Sequence, residues 1–229
     1  MQPSESPFPC HWWGIELEDA GLGDVRPDVG TYGQYEFNRL PALSFEMRGD
    51  FAWLATAPEI DQHIGEEKAA ENIQTLPRLR EFMRRMGLKL PESFTVFMDT
   101  PALHARIRST TDCYLDLCPE AIQSPIGGGY LVRFLSDSQG CLSWYLYLTT
   151  DGSDHAVVAS SGFYGTEDEQ WQEEPPDPGE TVFSAESFEA FICRFWLENE
   201  IWFAGYEGTP MPDVCQAYIE RYRNGTNYG

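Results

Sequence analysis

The clearest periodic signal in the chain begins near Glu66, where Ile73, Leu76, Leu79, Phe82, Met83 and Met86 recur three or four residues apart while Arg78, Arg80, Arg84 and Arg85 fill other positions. Apolar residues at that spacing line one face of a 3.6-residue helix, so the segment predicts an amphipathic helix. Gly87 fits its left-handed cap, and Leu88-Lys89-Leu90-Pro91 leads into a second short helix, Glu92 to Met98, before a break at Asp99-Thr100-Pro101. From Tyr114 to Ser161 the signal is β. Tyr130–Leu135, Leu142–Leu148 and His155–Ser160 are rich in β-branched and aromatic residues, and the connectors Ser136–Gly140 and Thr150–Asp154 have turn length and turn chemistry. Three such strands predict an antiparallel meander and set the class at α+β.

The flanks are less regular. Residues 1–66 sustain no helical period and offer short candidate strands at His11–Leu17, Gln34–Phe37 and Ala42–Phe45, with a further apolar segment at Phe51–Ala55. Trp12, Trp13 and Trp53 need cover there, so this β-rich extension is expected to pack on a core domain at 67–229. After the meander, Glu167 to Glu180 is acidic and aperiodic, the pattern of an exposed, mobile surface loop. Ser184 is placed to cap a helix whose buried stripe is Phe188, Phe191, Ile192 and Phe195, and a last helix is expected at Val214–Tyr222. Trp144 lies in the most apolar strand and is expected to be buried.

Of 229 residues, 42% are hydrophobic and 14% aromatic, enough apolar surface for one decorated core. No apolar run approaches the roughly 20 residues of a membrane-spanning helix. The opening Met-Gln-Pro-Ser-Glu-Ser-Pro has neither the basic nor the apolar region of a signal peptide, so a cytoplasmic location is the expectation. The six cysteines form no CxxC pair and are expected to be reduced, Cys141 and Cys193 packing as small hydrophobes. No metal or cofactor is expected.

A formal net charge of −22 changes the picture most. Gripping phosphate requires Lys and Arg to displace counterions, so nucleic acid and anionic membrane are excluded as expected partners. A basic protein is what such a field would steer in. The charge is lopsided: basic residues cluster between Lys68 and Lys89, and after Arg133 they number only Arg194, Arg221 and Arg223. Acids of that half include Asp137, Asp151, Asp154, Asp177 and Glu180, and its densest run holds the candidate partner-binding residues Glu167, Asp168, Glu169, Glu173 and Glu174.

Catalytic patterns are absent from the sequence. His11, His63, His104 and His155 sit in no nucleophile elbow or zinc motif, and a lone imidazole needs an oriented partner to act as a base. Ile126-Gly127-Gly128-Gly129-Tyr130 lacks the Lys-Ser/Thr of a phosphate loop and leads into a strand, so it reads as a tight turn. The expectation is a non-enzymatic binding protein. The competing reading is a hydrolase using paired carboxylates, motivated by their number alone.

The helix, the step Gly87-Leu88-Lys89-Leu90-Pro91, the segment Glu92-Ser93-Phe94-Thr95-Val96-Phe97-Met98 and the strand-turn-strand Phe134–Tyr145 with Trp144 together resemble the SUKH superfamily. The likeness covers roughly Asn72 to Tyr206, with Phe191–Phe203 matching the closing aromatic helix. Residues 1–66 have no counterpart in the minimal domain, and Asp99-Thr100-Pro101 stands where relatives commonly carry Asn-Gly. The resemblance implies a curved, mostly antiparallel sheet flanked by helices and used as a protein-binding scaffold. Bacterial relatives look like immunity proteins that neutralise toxins, often nucleases, and fungal ones like regulators of cell-wall synthesis and signalling.

Overall fold

The computed structural model describes residues 1–166 and 177–225, and its architecture is α+β, with a mostly antiparallel sheet flanked by helices. The strands are β1 (His11–Gly14), β2 (Gly33–Glu36), β3 (Tyr114–Leu115), β4 (Ile122–Gln123), β5 (Tyr130–Ser136), β6 (Ser143–Leu148), β7 (His155–Ser160) and β8 (Thr181–Ala185). The helices are α1 (Ala69–Met86), α2 (Glu92–Met98), α3 (Pro101–His104), α4 (Phe188–Glu207) and α5 (Asp213–Arg223).

The predicted meander is β5-β6-β7, extended by β8 on one side and by β3 and β4 along the other edge of β5. Asp137 makes its first turn: Oδ1 accepts the backbone N–H of Gln139 at 2.9 Å and of Cys141 at 3.1 Å, while Gly140 takes the left-handed conformation at φ 72°. That geometry corrects two expectations. Cys141 is exposed because it belongs to the turn rather than to β6, and Asp137 is buried in the turn rather than part of the surface field.

Side-chain alternation divides the sheet between two cores. Val132, Trp144, Leu146, Val157 and Val182 pack toward α2 and α4, while Leu131, Tyr145, Tyr147, Val158 and Phe183 face the other way and are covered by Phe8. Trp144 is 1% exposed, pairs across strands with Leu135 and Ala159, and meets Phe191 and Phe195 of α4.

α1 ends on Gly87 at φ 71°, and α2 occupies its predicted residues. Its buried stripe is narrower than the spacing suggested: Leu76, Leu79 and Met83 face the core, but Ile73 and Met86 are exposed on the flanks. The cap of α4 is Ser187, whose Oγ accepts the Ala190 N–H at 3.2 Å; Ser184 is instead buried in β8, a strand absent from the sequence expectation. The acidic loop also ends earlier than expected, since Pro178–Glu180 is a helical turn leading straight into β8. Ala42–Phe45 is not a strand. Its neighbourhood is fixed by arginines, Arg194 donating to the Pro41 carbonyl and Arg221 to that of Ala42, while Phe45 stacks on Trp53 at 5.3 Å.

Candidate functional site

The five sequence-nominated residues Glu167, Asp168, Glu169, Glu173 and Glu174 lie outside the described residues. Among the described ones, a different acidic surface is built where α4 leaves the core. From Phe188 to Asn199 this helix is buried on every side, its apolar residues packed in the core and Glu189, Arg194, Glu198 and Asn199 held by hydrogen bonds. From Glu200 onward it turns amphipathic: Ile201 and Ala204 stay buried, while Trp202 and Phe203 are half-buried and Tyr206 is 69% exposed. At 100° per residue those three aromatics share the outward side. Trp202 and Tyr206, one turn apart, stack with centroids 4.8 Å apart and planes at 15°.

Acids gather around this stack from two directions. The Trp202 indole donates to Glu16 Oε1 at 2.6 Å, and Asp19 lies against Gly205, whose added Cβ would come within 3.3 Å of the Asp19 Cβ. Glu18 is exposed on the same turn. On the opposite flank Arg108 forks onto Glu200 at 2.9 and 3.2 Å, reaches Glu207 at 3.4 Å, and lies 4.0 Å over the Phe203 ring. Arg223, at the far edge, donates to the Ala20 and Gly21 carbonyls.

A buried polar network holds the two halves in register. Arg26 grips Glu198 through both nitrogens at 2.8 Å, and Trp12 and Tyr218 donate to the same carboxylate at 2.7 and 3.0 Å. Arg26 also bonds the Ile15 carbonyl, and its own carbonyl accepts the Leu17 N–H, which fixes the turn bearing Glu16, Glu18 and Asp19 against α4. On the other flank Asn199 accepts the Thr110 N–H at 2.8 Å and so sets the loop carrying Arg108.

The remaining buried titratable groups serve the interior. Asp116 accepts from Lys68, Arg133 and Ser136; burial alone would raise its carboxyl, but Arg133 and Lys68 outweigh it and hold it below the usual range. Glu189 accepts the backbone N–H groups of Gly49 and Phe51 and the Trp53 indole. Tyr32 bridges Thr111, Cys113 and Asp137, and burial pushes the Cys113 thiol up to about 11, which makes it a poor nucleophile at neutral pH. Burial lowers His104 to about 4, and its Nε2–H donates to the Phe97 carbonyl. His11, His63 and His155 are half-buried, and no two of the four histidines share a metal-ligating cluster; among the described residues no three His, Cys, Asp or Glu come together to hold an ion.

Hollows among the described residues are either enclosed or open. The void between Trp12, Trp13, Tyr32, Trp144 and Asn199 measures about 10 Å³, room for about one water. An open groove on α1 is lined by Pro77, Arg78, Glu81, Phe82, Arg85 and Glu120.

In the sequence the end of α4 is marked only by the match of Phe191–Phe203 to a closing aromatic helix. The usable signal was the change within it, from a mostly apolar run to aromatics at 202, 203 and 206 flanked by Glu200 and Glu207. Glu16 and Arg108 carried no local signal. No helix among the described residues is long and apolar enough to cross a membrane. No family model, curated protein or solved structure matches the chain.

Proposed function

We propose that the chain is a non-enzymatic, acidic protein-binding module whose partner is a basic protein, and that the end of α4 with the turn Glu18–Leu22 is the surface that meets it. One observation carries this reading. The Trp202–Tyr206 stack lies at the edge of the core, Trp202 packed against it and Tyr206 exposed, with Glu16, Glu18 and Asp19 on one flank and Glu200 and Glu207, both held by Arg108, on the other. Aromatic anchors inside a polar rim are the arrangement of interface hot spots, and an acidic rim selects a basic partner. A net charge of −22 supplies long-range steering of the same sign.

The finer reading is a SUKH-like domain at 67–229 serving as an immunity protein or regulator, with residues 1–66 as an extension. What supports it is the helix, left-handed Gly87 and Pro91 step into α2, and Trp144 in its strand. A nuclease is basic where it grips phosphate, so an acidic face can occupy that surface. In this reading the extension contributes to the face through Glu16, Glu18 and Asp19. The sequence-nominated Glu167, Asp168, Glu169, Glu173 and Glu174 would add to the field.

Site-specific photo-cross-linking tests the assignment. A benzophenone side chain at Tyr206 should yield an adduct with a basic protein in the producing cells, whereas one at Met86 on α1 should not. Adducts arising at Met86 alone, or an acidic protein captured at Tyr206, would refute it.

A further inference from the structure

We propose that the outer face of Tyr206 is a seat for an arginine side chain of the partner, so that a guanidinium occupies the centre of the interface. This rests on the reading of the α4 end as a binding face and names the chemistry it recognises.

Trp202 covers one side of the Tyr206 ring in a nearly parallel stack, yet Tyr206 remains 69% exposed, so its other side looks into solvent. A flat guanidinium can lie on a flat ring while its fork of N–H donors reaches outward; an ammonium makes a compact point contact. The surroundings supply acceptors for that fork. Glu207 follows directly and is exposed, Glu16 is tied to the underlying Trp202, and Asp19 is packed at Gly205. An anionic side chain placed there would be repelled by these carboxylates, whereas a guanidinium adds a cation to acceptors that already engage Trp202 and Arg108.

The helix already displays the same recognition once. Arg108 lies 4.0 Å from the centroid of Phe203, and its donors engage Glu200 at 2.9 and 3.2 Å and Glu207 at 3.4 Å. At Tyr206, three residues along the helix, the exposed ring has only Glu207 next to it in the chain, and the guanidinium is left for the partner to bring. The Arg223 side chain is occupied with the Ala20 and Gly21 carbonyls at the edge of the same turn.

Hexa-arginine, hexalysine and hexaglutamate titrated calorimetrically into the full chain at low salt test the seat, using wild type, Tyr206→Ala and Tyr206→Phe. The exposed position makes both variants safe for folding, which thermal melts verify. Hexa-arginine is expected to bind wild type about two- to five-fold more tightly than hexalysine. Tyr206→Ala should erase that preference and Tyr206→Phe should keep it, while hexaglutamate stays unbound. Equal affinities for the two cationic peptides, or an arginine preference that survives Tyr206→Ala, overturn the seat and leave the acidic face standing. Failure of both cationic peptides to bind overturns the face as well.

Discussion

Arg26 and Glu198 meet fork to fork, both guanidinium nitrogens 2.8 Å from the carboxylate oxygens and both side chains withdrawn from solvent. The pair joins a turn near the start of the chain to a helix near its end, and thereby sets Glu16 and Asp19 beside Trp202 and Tyr206. Removing one partner strands the other charge in the interior. Arg26→Ala should therefore cost about 3–5 kcal/mol in urea denaturation, and replacing both residues with apolar ones should not restore wild-type stability, because the Trp12 indole and the Ile15 carbonyl would then lose their buried partners. A loss below about 1 kcal/mol in the single variant would mean that water reaches the pair.

Trp144 has the same structural weight without charge. It is enclosed by Tyr32, Phe191 and Phe195, so Trp144→Ala leaves a cavity and should lower stability by about 3–5 kcal/mol. Thermal melting close to wild type would contradict its place in the core.

Acid should loosen the fold before most carboxylates titrate. Burial depresses His104 to about 4 in the folded chain, against about 6.5 unfolded, so the unfolded state binds the extra proton between those values. Stability is complete above pH 6.5 and falls as pH drops toward 4, by up to about 3 kcal/mol from this residue. Burial lowers His155 too, which adds in the same direction. Urea melts at pH 7, 5.5 and 4.5 should show the decline, and His104→Gln should flatten it. A pH dependence identical in that variant would remove His104 as the cause.

The elements legible in the sequence were those whose signals are local. α1, Gly87, α2 and β5-β6-β7 combine periodicity with turn chemistry, and each formed close to where the pattern placed it. Ser184 and Ser187 show where local reasoning stops. Either hydroxyl could cap a helix, and only the pairing of Thr181–Ala185 with β7 decides between them. β3, β4 and α3 are too short to carry a period. The candidate site was illegible for a stronger reason: Trp202 bonds Glu16 across 186 positions and Arg108 bonds Glu200 across 92, so its composition exists only after folding.

Association rate against ionic strength, for the partner cross-linked at position 206, tests the central claim most directly. Exposed charges act over a screening length of about 8 Å at physiological salt, so rates set by this face should fall steeply as salt rises. The combined Glu16→Gln, Glu18→Gln, Asp19→Asn and Glu207→Gln variant is expected to bind more slowly and with a shallower salt slope. Neutralising Glu167, Asp168, Glu169, Glu173 and Glu174 should reduce the slope without weakening the docked complex. A wild-type rate and slope in the first variant, with both lost in the second, would contradict the account and move the binding surface to residues 167–174.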